Sequence, residues 1–166
     1  MTTVPTPPWI TETQKVMGLH EIRDHARLSA WLKSDGKTLG NPAKLPWCGD
    51  LVDTALERAL PDEPRPGDLG KNPYWALNWG LLGVISGPYR WAIVTFKRPS
   101  GGHVGFLMGE DATHYLVRGG NQGNTVSDTW IAKSRARAVR WPSTYPNPRV
   151  PLPKLKRTGA VSTNEA

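Results

Sequence analysis

The sequence of 166 residues contains a single cysteine, Cys48, and only two phenylalanines. One cysteine cannot form an intramolecular disulfide or a multi-cysteine metal site, so any chemistry at Cys48 depends on its thiolate. Without disulfides, the fold must be stabilised by burial of apolar side chains, to which the eight tryptophans can contribute heavily. The length suits one domain with one core, so we expect a single aromatic-rich domain.

The chain also lacks a long apolar run and a segment typical of a secretory signal. No run approaches the roughly 18 apolar residues that a membrane span needs. The first residues, MTTVPTPPWITETQKV, do not show a basic stretch followed by an apolar one. We therefore expect no transmembrane segment and a monomeric protein that is synthesised in the cytoplasm without a signal peptide.

Acidic residues are relatively few: 14 Asp and Glu stand against 21 Lys and Arg, which gives a formal net charge of +7. This charge favours anionic partners such as nucleic acid, acidic glycans or phosphate-rich envelopes. The basic residues cluster in residues 133–140 and 154–157. No aromatic and glycine signature of an RNA-binding sheet accompanies them, so we expect a solvated basic strand and tail and no specific nucleic-acid site.

Composition divides the chain into three parts. Residues 143–166 are rich in proline and polar residues and show no helical or strand period, so we expect a disordered basic tail. Residues 1–12 also carry several prolines and are expected to be flexible, although Trp9 and Ile10 are candidates to pack onto the domain. The folded domain is therefore predicted to span residues 13–142.

The pattern of apolar residues predicts helices first and strands afterwards. Residues 21–32 and 47–60 show the three-four spacing of buried helical faces. Beyond Gly87 the period changes to two, which predicts strands at residues 91–96, 103–108, 114–118, about 125–131 and 136–141. This order predicts an α+β fold in which N-terminal helices pack on an antiparallel sheet of about five strands.

Cys48 is placed at the first turn of the second predicted helix, where unpaired amides and the helix dipole favour a thiolate. A cysteine nucleophile needs an imidazole base, and His103 at the start of a predicted strand is the first candidate, with His114 as its rival. Asn121, which follows a neighbouring strand, is the candidate to orient that imidazole. Gln122 and Asn124 are rivals for the same role.

Two other interpretations of Cys48 arise from the residues alone. A lone buried cysteine is more often an inert small hydrophobic residue than a nucleophile. A zinc site formed by Cys48, His103 and His114 would lack the close ligand pairs of structural zinc sites. We therefore expect no metal and no cofactor.

Three sequence blocks resemble the CHAP and NlpC-type cysteine peptidases: residues 46–50 (PWCGD), 101–106 (GGHVGF) and 119–122 (GGNQ). They occur in the order that this group shows, and the resemblance spans about residues 17–142. It implies a papain-like core in which Cys48 is the nucleophile, His103 is base and acid, and Asn121 orients His103. Many CHAP relatives have a glutamate just before the matching asparagine, whereas this chain has Gly119.

Within that group, the chain looks like a small branch of phage or prophage endolysins. This implies hydrolysis of an amide bond in the peptide part of peptidoglycan through a thioester, with anionic envelope polymers as further partners for the basic surface and tail. The protein would then act on the cell wall after release. Trp47, Asp50, Trp75 and Gln122 are candidate substrate-binding residues. The alternatives are an interbacterial toxin or tail-associated wall hydrolase with the same chemistry, and a noncatalytic envelope-binding domain.

Overall fold

The computed structural model describes residues 3–165, within which three α-helices precede a seven-stranded sheet. The helices are α1 (Pro8–Gln14), α2 (His25–Leu32) and α3 (Cys48–Ala59), and the strands are β1 (Val84–Ile85), β2 (Ile93–Lys97), β3 (Gly102–Glu110), β4 (His114–Gln122), β5 (Thr125–Ala132), β6 (Ala136–Trp141) and β7 (Val161–Ser162). The predicted α+β class and its order are confirmed. No helix in the described part of the chain is both long and apolar enough to cross a membrane.

The sheet has the strand order β1-β6-β2-β3-β4-β5-β7. All neighbouring strands are antiparallel except β5 and β7, which are parallel. Five strands match the predicted ones, and the short β1 and β7 add two more at the edges. These two strands contain two residues each, which is too short for a period to be visible in the sequence.

Helix α3 packs its apolar face against β3 and β4 in the middle of the sheet. Leu51, Val52, Ala55 and Leu56 are fully buried, as their three-four spacing predicts. The tryptophans carry much of the remaining core, with Trp9, Trp47 and Trp79 completely inaccessible to solvent. Because α3 begins over the central strands, its first residue lies above the start of β3 and the end of β4.

The N-terminal segment is more ordered than predicted. Helix α1 begins at Pro8, inside the range that was expected to be flexible, and residues 1 and 2 lie outside the described residues. Trp9 explains the difference, because its ring packs edge-on against Trp141 and Tyr145, and its Nε1 donates a hydrogen bond to the carbonyl of Trp91, 3.0 Å away.

The expectation of a disordered tail is wrong for residues 143–165, while residue 166 lies outside the described residues. Leu152 is buried, and Trp130 Nε1 donates to the carbonyl of Thr158 at 2.8 Å. Strand β7 then pairs with β5, with Val161 opposite Trp130. A proline-rich segment has few amide donors of its own, but the exposed edge of the sheet supplies partners for those that it has.

Candidate active site

Cys48 is the first residue of helix α3 and lies beneath the protein surface, with only 4% of its area exposed. Helix N-termini leave amide groups unpaired and carry a partial positive charge, which stabilises an anion there. Burial alone raises the pKa of the Cys48 thiol, but the hydrogen bond and charge of His103, with the amide groups of Val104 and Gly49, hold that pKa below its ordinary value. The site therefore favours a thiolate at Cys48.

His103 is the second residue of β3, the central strand of the sheet, and it is completely buried. It stands opposite Phe96 on β2, and the two rings stack at 6.4 Å with an interplanar angle of 30°. Burial alone lowers the pKa of His103, but the hydrogen bond and charge of Cys48 raise it above its ordinary value. Both shifts favour a thiolate–imidazolium pair.

Gln122, the last residue of β4, holds the other side of the imidazole. Its Oε1 lies 2.9 Å from His103 Nε2, and its Nε2 donates to the carbonyls of Val117 at 3.1 Å and Ser127 at 2.7 Å. Because the amide nitrogen is committed to two carbonyls, the amide oxygen must be the atom that faces the imidazole. The amide oxygen accepts a hydrogen bond from the protonated Nε2, which leaves Nδ1 as the basic nitrogen.

The Nδ1 atom of His103 is buried, and no hydrogen bond to it, including the one between His103 and Cys48, is well aligned among residues 3–165. With Nε2 held by Gln122, Nδ1 is the nitrogen available to exchange a proton with Cys48. In uncomplexed enzymes, hydrogen bonds between a nucleophile and its base are often loosely aligned and tighten when substrate binds. The three side chains therefore form a candidate Cys48–His103–Gln122 triad.

The prediction that Asn121 orients His103 is wrong. Asn121 Nδ2 instead donates to the backbone carbonyl of Glu165 at 2.8 Å. The cause is a bulge: the pairing of β4 with β5 shifts between Gly119 and Gln122, and Asn121 has a φ of 60°. In a regular strand Gly119 and Asn121 would share one face, but the bulge moves Gln122 to that face. Two glycines followed by asparagine, which tolerates this backbone conformation, were the available signal.

Gly119 leaves the space that the imidazole and Gln122 occupy. A methyl group there would lie 2.9 Å from Gln122 Oε1 and 3.3 Å from His103 Nε2. We therefore expect Gly119→Ala to slow alkylation of Cys48 by iodoacetamide at neutral pH by about tenfold to a hundredfold, because displacement of a catalytic group by about 1 Å can have an effect of this size. Rates are measured from the mass of the modified protein.

The matched control is Gly67→Ala. Gly67 has no atom within 4 Å of an added methyl group, so this variant should react like the wild type. If Gly119→Ala also reacts like the wild type, the contact between His103 and Gln122 does not govern the reactivity of Cys48.

An open cavity of about 260 Å³ lies beside Cys48. Trp75, of which 59% is exposed, lines it together with Tyr74, Arg98 and Leu39. Gly49 allows the segment that carries Tyr74 to approach the start of α3, since a methyl group at Gly49 would lie 2.6 Å from the carbonyl oxygen of Pro73. This cavity is the candidate substrate cleft.

A second cavity of about 250 Å³ adjoins the first and shares Pro46 and Arg98 with it. Its lining is more polar and includes Glu21, Lys44 and Asn121. The two cavities together form an extended groove with the thiol at one wall. A larger cavity of about 540 Å³ lies between Trp141 and the segment after it, and Cys48 is not part of its lining.

Of the four predicted substrate-binding residues, only Trp75 lines this groove. Trp47 is completely buried and donates a hydrogen bond from Nε1 to Glu21 Oε2 at 2.8 Å, so it is a core residue. Asp50 is 1% exposed and Gln122 is 2% exposed. The expectation that these three contact substrate is therefore wrong, because other side chains cover them.

Asp50 belongs to a buried acidic group next to the nucleophile. Burial, followed by the charges of Asp35 and Asp53, raises the pKa of Asp50 to about 7. Burial and the same three carboxylates raise the pKa of Tyr74 to about 12. Tyr74 therefore remains a neutral phenol at the wall of the cleft over the whole physiological pH range and can donate a hydrogen bond there.

His114 is not brought to Cys48, so the structure does not assemble it as the rival base. It opens β4, at the opposite end from Gln122, and its Nδ1 contacts Thr113 Oγ1 at 2.8 Å and the guanidinium of Arg157. Within residues 3–165, no group of three or more His, Cys, Asp or Glu side chains is arranged to hold a metal ion.

No family model matches this chain, and neither a curated protein nor a solved structure is similar enough to match it. The resemblance to CHAP and NlpC-type peptidases, and the papain-like core that it implies, therefore remain predictions from the three sequence blocks. The geometry of Cys48, His103 and Gln122 is an independent basis for assigning a function.

Proposed function

We propose that this protein is a cysteine hydrolase that cleaves an amide bond in the peptide part of bacterial peptidoglycan. The observation that carries the proposal is the triad: a thiol at a helix N-terminus, a buried imidazole whose charge stabilises the thiolate, and an amide that fixes the imidazole tautomer. A cysteine that serves only as a buried hydrophobic residue does not require a neighbouring histidine that is held in this way.

The proposed reaction begins with attack of the Cys48 thiolate on the carbonyl carbon of the substrate amide. The resulting oxyanion is stabilised at the start of α3, where the Cys48 amide is the expected donor. His103 then donates the Nδ1 proton to the leaving amine, the C–N bond breaks, and a thioester with Cys48 remains. Water gives a proton to His103 and attacks the thioester, which releases the carboxylic acid and restores Cys48.

Gln122 acts on the imidazole throughout this cycle. Its oxygen accepts a hydrogen bond from Nε2 in both the neutral and the protonated ring, and its nitrogen is anchored on two carbonyls. A neutral amide can hold the ring orientation without adding a charge, as the asparagine in some cysteine proteases does. We therefore assign Gln122 the orienting role that the sequence resemblance gave to Asn121.

The surroundings of the cleft support an anionic polymer as substrate. A groove of about 300 Å³ next to the cleft is lined by Lys97, Arg98, Arg135 and Arg137 and by no acidic residue. Arg98 also lines both cavities at the thiol. Arg135 is paired with Glu165, so the remaining cations Lys97, Arg98 and Arg137, together with the net charge of +7, would attract the carboxylate and phosphate groups of bacterial envelopes.

Incubation of the purified protein with peptidoglycan tests the proposal. The wild type should release new amine groups, and Cys48→Ala should lower that release by at least about a thousandfold, because loss of a nucleophile that acts as one unit with its base removes most of the catalysis. His114→Ala, a histidine substitution outside the triad, should retain the wild-type rate.

Two results would reject the proposal: no amine release by the folded wild type, or equal release by Cys48→Ala. Binding to peptidoglycan without amine release would favour the noncatalytic envelope-binding domain. Mass spectrometry of the released fragments would separate cleavage of the sugar–peptide amide from cleavage within the peptide. A lysin, a toxin and a tail-associated hydrolase would share this chemistry, and the source of the gene would distinguish these three roles.

A further inference from the structure

The segment Val161–Ser162 and the three residues after it bring a carboxylate into the interior behind the catalytic histidine. Strand β7 lies parallel to β5, and beyond it Glu165 is only 2% exposed. A glutamate is almost never buried to this extent unless it is paired. The partners of Glu165 therefore show what this burial achieves.

The carboxylate of Glu165 is held by an arginine and a hydroxyl. Arg135 donates to both oxygens, with Nη2 2.5 Å from Oε1 and Nη1 3.1 Å from Oε2, and Ser162 Oγ lies 2.5 Å from Oε2. Arg135 is itself anchored by a hydrogen bond from Nε to the carbonyl of Lys97 at 2.9 Å. Such charge-assisted, two-point contacts fix both the position and the ionised state of a carboxylate.

The backbone of Glu165 supports the bulge that carries Gln122. Its carbonyl accepts the 2.8 Å hydrogen bond from Asn121 Nδ2, and Asn121 is the residue in the left-handed conformation. Asparagine tolerates that conformation better than most residues other than glycine, and the contact with Glu165 holds it in place. Gln122, the next residue, is therefore directed at His103 by a bulge that the C-terminal segment stabilises.

The charge of Glu165 also acts on the imidazole. Burial alone lowers the pKa of His103, and the Glu165 charge is among the effects, after those of Cys48, that raise it. In return, burial raises the pKa of Glu165, whereas Arg135, Ser162 and then the charge of His103 lower it. Arg98 is another charged group near this segment, and its Nη1 lies 3.5 Å from Asn164 Oδ1.

We propose that Glu165 is a positioning residue of the Cys48–His103 pair, which supports the Asn121 bulge through its carbonyl and stabilises the imidazolium through its carboxylate. The inference rests on the nucleophile and base of the proposed function. Residues 161–165 line neither of the two cavities at the thiol, so we assign the segment a supporting role and not an inhibitory one. The segment leaves these two cavities open, and its Thr163 lines the neighbouring basic groove.

The test is the pH profile of Cys48 alkylation by iodoacetamide, which needs no peptidoglycan. Glu165→Gln keeps the backbone carbonyl and removes only the charge, so we expect the midpoint of the profile to rise by about 0.5 to 1 pH unit, a small effect for a nearby charge because Arg135 partly offsets the carboxylate. Removal of residues 161–166 loses both contacts and should raise the midpoint at least as far. The control is Glu110→Gln. Glu110 lies on the same strand as His103 and forms an ion pair with Lys133, and its replacement should leave the profile unchanged.

A double-mutant comparison separates positioning from a general effect on the fold. In a His103→Ala background, Glu165→Gln has no imidazolium to act on and should shift the profile by less than about 0.2 units. Thermal unfolding of each variant checks that it is folded at the temperature of the assay. If Glu165→Gln does not fold, the same comparison is made with Glu165→Ala, which also removes the carboxylate, keeps the backbone carbonyl and should also raise the midpoint.

An unchanged profile for Glu165→Gln, or an equal shift in both backgrounds, would overturn the inference. Faster alkylation after removal of residues 161–166 would also overturn it and would identify the segment as inhibitory. A raised midpoint in a protein that does not cleave peptidoglycan would uphold the role of Glu165 while rejecting the proposed function.

Discussion

Replacement of His103 by alanine is expected to raise the midpoint pH of Cys48 alkylation by about two to four units, which is the range of shift that an opposite charge and burial together produce. In the wild type the hydrogen bond and charge of His103 outweigh the burial of the thiol. Without the imidazole, burial would act alone and raise the pKa of Cys48. Because Cys48 is the only cysteine, the mass of the alkylated protein reports on this site alone.

His114→Ala is the matched control and should leave the midpoint where the wild type has it, since His114 contacts Thr113 and Arg157 and not the thiol. Overlapping profiles for His103→Ala and the wild type would show that His103 is not the partner of Cys48. In that case the triad is incorrect, even if the protein hydrolyses its substrate.

The second large effect concerns stability, and it arises at Asp50. Its pKa is raised from 3.8 to about 7 by burial and then by the charge of Asp35, so the folded state favours the protonated form. A raised pKa contributes stability that is fully present below about pH 4 and is lost as the pH rises to about 7. Since one pKa unit corresponds to about 1.4 kcal/mol, the rise from 3.8 to about 7 makes this loss about 4 kcal/mol.

Asp50→Asn should remove that part of the pH dependence. The amide resembles the protonated acid in size, and it adds no charge next to Asp35 and Asp53. We compare the free energy of unfolding of Asp50→Asn with that of the wild type at each pH. The advantage of Asp50→Asn should be about 2 kcal/mol or more larger at pH 8 than at pH 4. Urea unfolding at several pH values measures this difference.

The exposed carboxylate of Asp62 supplies the comparison. Asp62→Asn should change the free energy of unfolding by less than about 0.5 kcal/mol at every pH, as surface substitutions usually do. Parallel pH profiles for Asp50→Asn and the wild type would mean that Asp50 is ionised in the folded protein from about pH 4 upward, and that its burial is compensated by partners other than those described.

The sequence was sufficient to predict α3, the strand that carries His103 and the pairing of Cys48 with that histidine. Helical spacing and strand alternation repeat over many residues, so they survive small local irregularities. The orienting residue was not predictable in the same way, because one extra residue in the bulge at Gly119–Gln122 exchanges the two faces of the strand. A pattern of period two cannot detect such an insertion.

The order of the C-terminal segment was missed for a different physical reason. Its composition indicates a chain that cannot bury enough surface alone. Its order comes from distant partners: Trp130 holds the carbonyl of Thr158, and Arg135 holds the carboxylate of Glu165. Such contacts depend on the finished sheet edge, which no local window of sequence contains.

The most direct test of Cys48 as the nucleophile uses the unaltered sequence. The wild-type protein is alkylated with iodoacetamide to a series of increasing extents, and each sample is assayed for amine release from peptidoglycan. We predict that the rate falls in direct proportion to the fraction of Cys48 modified and vanishes at one equivalent. Amine release that continues after complete modification of Cys48 would contradict the proposed mechanism.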